Sequence, residues 1–451
     1  MELSKINRVY FVGIGGIGMS ALARYFAKRG LVVCGYDKTR TKLTETLEQE
    51  GILISYLDES AALPCAFLDK HDDSLIVYTP AIPKNSKILS HFIDQGFSLK
   101  KRSEVLGIIS KGMFCIAVAG THGKTTTSSI VAHILKDTGY DCTAFLGGIT
   151  SNYNTNVLFG ENNVVVVEAD EYDRSFLTLH PDVAVITSMD ADHLDIYGDK
   201  SHLEESFHLF AGQLKPNGVL FGHEGLPLEN SISYAASNTA VAKAENLRVE
   251  GSKFVFDYAD ENHSIKDLSL MLPGKHNVEN TAVAIAISLK LGIDAEKIKK
   301  AVANFKGVKR RFEYIVNNDN QIYIDDYAHH PEELRACFDA VRQLYPEKKL
   351  TVIFQPHLFT RTRDFADEFA KVLSTADELL LLEIYPAREL PIDGVNSAFL
   401  LDKINSNNKR IIEKGAVTEY IKNTKPELIL TVGAGDIDTL IEPIKNILTN
   451  A

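Results

Sequence analysis

Short apolar runs of strand length alternate with amphipathic stretches along the whole chain, and the alternation recurs in three blocks. That pattern predicts mostly parallel strands covered by helices. In the first block, strands are expected over 9–12, 31–37 and 74–79, with a helix over 21–29. The second has them over 114–119, 164–169, 183–188 and 218–222, and the third over 321–327, 350–355, 379–384 and 428–432. Shorter β-like pieces between 229 and 270, such as 253–258, read as an antiparallel edge. Junctions poor in apolar residues fall near 105–112 and 306–312, which places domains at 1–107, 108–308 and 309–451.

Composition narrows the class. The 451 residues suit about three domains of ordinary size. With 45% hydrophobic and 24% charged residues, the balance is that of a water-soluble globular protein. No run is long and apolar enough to span a bilayer, and no export signal is read at the N-terminus, so a cytoplasmic location is expected. A net charge of −12 argues against a nucleic-acid backbone as the main partner. The five cysteines are scattered without a C-x-x-C pair, and Cys34 and Cys115 sit in apolar runs as small hydrophobes.

The chemistry concentrates where strands end. Residues 120–127 read Gly-Thr-His-Gly-Lys-Thr-Thr-Thr directly after the apolar run 114–119. A strand that breaks at glycine and resumes as a helix points backbone N–H groups and a positive helix end at an anion. Lys124 adds a mobile cation and Thr125 a hydroxyl for Mg²⁺. The loop is shorter than the usual G-x-x-x-x-G-K-[ST], because Val118 stands where that pattern needs glycine. In the first block, Gly13, Gly15 and Gly18 form G-x-G-x-x-G after a strand, Gly16 lies inside it, and Asp37 ends the next strand. This is the spacing of a pyrophosphate loop with an acid for a ribose hydroxyl. The bare motif leaves NAD, FAD and a UDP-sugar open. A separate phosphate loop on the second sheet weighs against hydride transfer, which needs no ATP. It favours a phosphorylated substrate joined to ATP chemistry, with Thr79 and the proline-rich turn after it flanking the ligand.

Acids follow the strand at 164–169 as Glu168-Ala-Asp170-Glu171. The carboxyl edge of a wound sheet is where ligands bind, and Mg²⁺ needs only one or two carboxylates, Glu168 first. Asp192, His193 and Asp195 follow the next strand and are expected to hold or steer a second cation.

These motifs, in this order, resemble those of the Mur ligases of peptidoglycan synthesis. The likeness takes in 13–20, 120–127 and 168–171, then Leu272-Pro-Gly-Lys-His-Asn-Val-Glu-Asn280 and Gly307-Val-Lys-Arg-Arg-Phe-Glu313. It continues through Asp325-Asp-Tyr-Ala-His-His-Pro331, Phe354-Gln-Pro-His357 with Thr360-Arg361, and Gly433-Ala-Gly-Asp-Ile437. The resemblance implies an α/β chain of three domains: Rossmann-like at the N-terminus, a central P-loop-type ATPase domain with a mostly parallel sheet, and Rossmann-like at the C-terminus. It implies the joining of L-alanine to UDP-N-acetylmuramate with ATP as co-substrate and Mg²⁺ or Mn²⁺ as the cation, with no nucleic acid and no membrane as partner.

By the same resemblance the UDP-sugar falls to Gly13, Gly15, Gly16, Gly18, Asp37 and Thr79. ATP falls to Gly120, Thr121, His122, Gly123, Lys124, Thr125, Thr126, Asn277, Asn280, Arg310, Arg311 and Asp326, with Asp325 beside it. The cation falls to Thr125, Glu168 and His193. Tyr327, His329, His357 and Arg361 would receive the amino acid, Arg361 offering a planar fork to its carboxylate. Lys124, Glu168, His193, His357 and Arg361 would do the catalytic work, with His357 or His193 as the base. The chain departs from the family pattern in three places. Leu358 stands where arginine often follows Gln-Pro-His, Tyr172 stands where serine is common, and 203–208 has no lysine to carbamylate.

Overall fold

The computed structural model describes residues 3–83, 85–190, 197, 199–251, 253–318, 320–387 and 389–449. It divides into two compact units. One comprises the chain up to Leu247 with Phe256–Ser269 and Glu279–Phe305; the other comprises Arg248–Val255, Leu270–Val278 and the chain from Lys306 onward.

Two sheets share the first unit. Five parallel strands run in the order Leu53–Ser55, Val32–Tyr36, Arg8–Val12, Ser74–Tyr78 and Ser98–Lys101. The second sheet is built around Phe114–Ala119, with Val164–Glu168 on one side and Val183–Ile186 on the other, all parallel. Phe-Cys-Ile-Ala-Val-Ala is apolar on both faces because helices cover both, as a parallel strand requires. A single apolar cluster joins the two sheets: Val9, Phe11 and Phe26 of the first pack with Cys115, Val165 and Phe145 of the second. Helix Ile17–Lys28 is the bridge, and its Tyr25 ring lies 5.3 Å from that of Phe145.

The apolar central strands match the expectation, and the sheet edges depart from it. Strand Phe114–Ala119 and strand Leu428–Val432 have the expected bounds. Of the pieces expected as an antiparallel edge, Ile232–Ala235 is corrected, since it pairs parallel with Val219–His223 and with Ala242–Glu250; Ala242–Glu250, Lys253–Ala259 and Ser264–Leu270 do end the sheet side by side, with connections too short for a parallel crossover. The hairpin of Thr143–Thr150 and Thr155–Leu158 has no counterpart in the expectation. Its Gly147-Gly148 reads as a turn but lies within a strand. The reason is steric: a Cβ on Gly147 would sit 2.2 Å from Glu168 Oε1.

The second unit carries a six-stranded sheet in the order Glu313–Asn317, Ile322–Asp326, Leu428–Val432, Leu350–Phe354, Glu378–Leu381 and Lys409–Ile411. Only the first of these is antiparallel to its neighbour. Successive residues of its central strands serve opposite faces, as the pleat dictates. Val352, Leu379 and Leu430 fill one core, and Ile353, Leu380 and Ile429 fill the other.

Candidate active site

The glycine loop of the first sheet turns at Gly13, whose φ is +90°. The N–H groups of Gly13 and Ile14 donate to the Tyr36 carbonyl at 2.8 and 3.0 Å, tying the loop to the neighbouring strand. Asp37, expected at a ribose, accepts from the N–H groups of Gly15 (2.8 Å) and Thr39 (3.1 Å). It therefore braces the loop. Thr79 lies against Gly13, with Cγ2 3.2 Å from where a Cβ would stand.

The phosphate loop is stapled to the next strand end. Gly120 has φ +133°, and a Cβ there would meet Thr187 Oγ1 at 2.0 Å, so only glycine fits. Thr121 shares a hydrogen bond of 2.8 Å with the Ser188 hydroxyl, which also accepts from the His122 N–H at 2.8 Å. The Thr187 hydroxyl donates to the carbonyls of Ala119 and His122. Gly123, at φ +81°, opens helix Lys124–Asp137, and the amide of Asn280 lies beside it, 3.1 Å from a notional Cβ. Thr125 and Thr126 are buried in the first turn.

Lys124 donates to the Gly120 carbonyl at 2.6 Å and to Glu171 Oε1 at 2.9 Å. Burial pulls its pKa down, but the carboxylates of Glu171, Glu168 and Asp170 outweigh that and hold it above the ordinary lysine value. Glu168 accepts from the Gly147 N–H at 2.9 Å, which aims the carboxylate from its strand end. Asp170 pairs with Arg102 Nη2 at 3.0 Å. A cleft of about 290 Å³ is lined by Gly16, Gly18 and Thr79 beside the first sheet and by Gly147, Glu168 and Asp170 beside the second.

Thr125 and Glu168 are hard oxygen donors, the set that suits Mg²⁺, which retains several waters. No group of three His, Cys, Asp or Glu able to hold a metal occurs among the described residues. Asp192, His193 and Asp195 lie outside the described residues.

In the second unit the acids at the end of Ile322–Asp326 turn inward. Asp325 is fully buried, accepting from the Thr431 hydroxyl at 2.6 Å and Arg310 Nε at 3.1 Å. Burial pushes its pKa up to about 7 against the pull of Arg310. Asp326 accepts from the Phe312 and Ala328 N–H groups, both at 2.7 Å, and burial raises its pKa as well. Both of its oxygens are thus held by main chain, which folds the 310–312 turn onto the strand end. Arg310 also donates to the Gly433 carbonyl at 2.6 Å, and both Arg310 and Arg311 lie over the Tyr327 ring, 5.1 and 5.2 Å from its centroid. Asn277 donates to the Pro273 carbonyl at 2.6 Å, a local brace at the start of helix Lys275–Lys290.

The residues expected at the amino acid do converge. The rings of His329 and His357 are 5.8 Å apart, and His357 stacks on Tyr385 at 5.8 Å. Tyr327 meets His329 edge-on at 5.4 Å. Burial lowers the pKa of His329 to about 4, with the charges of Arg361 and Arg311 adding to it and Glu333 opposing, so it is neutral at pH 7. Leu358 adopts φ +72°, and its N–H donates to the Tyr385 carbonyl at 3.0 Å at the head of helix Phe359–Asp364.

Three family profiles match in sequence. They are described as Mur ligase family, catalytic domain (residues 8–113), Mur ligase middle domain (118–288) and Mur ligase, glutamate ligase domain (310–435). The chain belongs to the Mur ligase family. Its three α/β domains with mostly parallel sheets are those the motifs implied. This Mur ligase is 49% identical over 447 residues, 99% of each chain, to a UDP-N-acetylmuramate–L-alanine ligase of Christiangramia forsetii. It is 50% identical over 445 residues, again 99% of each chain, to the ligase of the same name in Flavobacterium psychrophilum. The solved structure of a UDP-N-acetylmuramate–alanine ligase from Thermotoga maritima matches at TM-score 0.85 with 27% identity, over 98% of this chain and 99% of that one.

Sequence reasoning gives no separate role to three residues in and around this Mur ligase's cleft. Glu171, nearly fully buried, reads in sequence only as a neighbour of Glu168, yet it is the partner of Lys124. Gly147 has no motif around it. Arg102 enters no motif and lies just before the junction near 105–112. One signal is available for Arg102: it directly follows a strand of the first sheet, at the ligand-bearing edge.

Proposed function

We propose that the chain is an ATP-dependent amide-forming ligase that joins L-alanine to the carboxylate of UDP-N-acetylmuramate in peptidoglycan precursor synthesis. The observation that carries this reading is the single cleft that unites the glycine loop of one sheet with Glu168 of the other. A nucleotide-sugar acid on the first and a triphosphate on the second can then meet. Full-length relatives of about half identity, named for that reaction, support the choice of acid and amine. The working domains are 1–107 for the UDP-sugar, 108–308 for ATP, and 309–451 for the amino acid with part of the ATP. The reaction runs in the cytoplasm, where ATP and nucleotide sugars are made.

A carboxylate cannot expel oxide at neutral pH, so it is first activated. Its oxygen attacks the γ-phosphorus of ATP and ADP leaves, giving an acyl phosphate. Catalysis of that transfer is chiefly alignment and charge neutralisation. Lys124 holds the β- and γ-phosphate oxygens, and the N–H groups of 120–126 with Asn280 shape the rest of the cradle. Thr125 and Glu168 would hold Mg²⁺ or Mn²⁺, with His193 as a further ligand; the bound cation neutralises charge on the phosphates. Arg310 and Arg311 bind phosphate oxygens, and Asp326 and Asn277 keep the surrounding turns in place.

Arg361 takes the alanine carboxylate on its fork. Tyr327 and His329 wall the amino-acid site, and neutral His329 adds no charge to repel the incoming ammonium. That ammonium gives its proton to His357 or His193, and the free amine attacks the acyl carbon. The tetrahedral adduct then releases phosphate and leaves the amide. The test is phosphate release with ATP, UDP-N-acetylmuramate and L-alanine each omitted in turn. Release that needs all three is expected. Nucleotide binding without release when all are present, or tight NADH binding with none of UDP, would overturn the proposal.

A further inference from the structure

We propose that Arg102 grips the diphosphate of the nucleotide-sugar substrate. The inference rests on the reading above and adds the residue that would discriminate a diphosphate at the glycine loop. A doubly charged group in the cleft meets two carboxylates, Glu168 and Asp170, among the residues that line it. An opposing cation is needed to make that approach favourable. Among the described residues lining the cleft, Arg102 is the one basic side chain.

Its placement fits the task. Arg102 opens helix Arg102–Lys111 directly after strand Ser98–Lys101, at the same sheet edge as the glycine loop. A Cβ on Gly18 would stand 2.8 Å from Arg102 Nη1 and 3.3 Å from Cζ. The guanidinium therefore lies against Gly18 in the first turn of helix Ile17–Lys28, where the loop delivers its ligand, and Gly18 is small to admit it. Asp170 Oδ2 engages Nη2 at 3.0 Å and fixes the plane. A guanidinium has five N–H donors, so one carboxylate oxygen leaves enough of the fork for two phosphate oxygens.

The full-length chain, with R102A and R102K, tests this by titration with UDP, uridine, UDP-N-acetylmuramate and ATP. For R102A, affinity for UDP and for UDP-N-acetylmuramate should fall together by about 10- to 100-fold, the scale of lost charge-assisted bonds. Uridine and ATP affinities should stay within about twofold of wild type, since neither is held by this contact. R102K should recover only part of the loss, because a point charge lacks the fork. Wild-type affinity of R102A for UDP would overturn the assignment, as would a loss confined to UDP-N-acetylmuramate, which would place the contact on its carboxylate. Should R102A lose ATP as well, R102K decides: weaker UDP with intact ATP keeps the assignment, and unchanged UDP ends it. A wild-type chain that ignores UDP would remove the functional reading itself and this inference with it.

Discussion

Two acidic clusters end parallel strands in this chain, and they are put to opposite uses. Glu168, Asp170 and Glu171 follow Val164–Glu168; Asp325 and Asp326 finish Ile322–Asp326. In the first, Glu168 and Asp170 are half-buried on a cleft and Glu171 keeps Lys124 cationic. In the second, both carboxylates are buried and spent on Thr431, Arg310 and main-chain N–H groups. A strand-end acid stays open to a ligand where the adjoining loops leave a cavity, and becomes scaffold where a turn folds over it. The same chemistry thus works by exposure in one unit and by burial in the other.

Lys124→Ala should break the first cluster most severely. Phosphate release should fall by about a thousandfold or more, with UDP affinity retained. Release near the wild-type rate would show that Lys124 is not the phosphate lysine.

The second cluster is sharpened by pH. Asp325 titrates at about 7 in the fold against an ordinary 3.8, so the folded state binds the extra proton and this group's contribution to stability declines as pH climbs from 3.8 to 7. His329 titrates at about 4 against 6.5, so its contribution is lost as pH falls from 6.5 to 4. The two slopes oppose one another. Across these windows the stability of Asp325→Asn minus wild type should rise with increasing pH, and that of His329→Gln minus wild type should rise with decreasing pH, each by on the order of 3 kcal/mol. Denaturant midpoints at about pH 4, 5.5 and 7 measure both, and parallel slopes would refute the assignment of either group.

Arg361→Ala should raise the KM for alanine by about 10- to 100-fold, with the KM for ATP changed less than about threefold. Equal shifts in both would remove its role at the amino acid. Smaller still, Asn156→Ala should cost about 1–3 kcal/mol, read by chemical denaturation. Asn156 is fully buried, donates to the Ile17 carbonyl at 2.6 Å and accepts from Arg24 Nη1 at 2.6 Å. No loss would mean that this bond adds nothing to holding the first sheet's helix.

Legibility follows locality. The glycine loops can be read because strand, turn and helix start are adjacent in sequence, as at 114–127. Tertiary partners cannot: Lys124 with Glu171 and Gly147 with Glu168 are set by strand order, which spacing does not encode. Asp326 reads as a ligand contact because nothing in Asp325-Asp326 tells that Phe312 and Ala328 will claim its oxygens. The strand through Gly147-Gly148 escapes a sequence reading because glycine pairs signal turns, whereas here the missing side chain makes room for a carboxylate.

The tie between Asn156 and helix Ile17–Lys28 has a consequence for anyone hoping to transplant the amino-terminal glycine loop. The helix that shapes the glycine loop is anchored by an amide from the neighbouring sheet, and Arg24 relays that anchor to Glu50 at 2.8 Å. A fragment cut at the first junction would keep its strands yet expose Tyr25 and the apolar cluster it shares with Phe145 of the second sheet. The amino-terminal block is therefore half of a two-piece casting, and a useful graft must carry both halves.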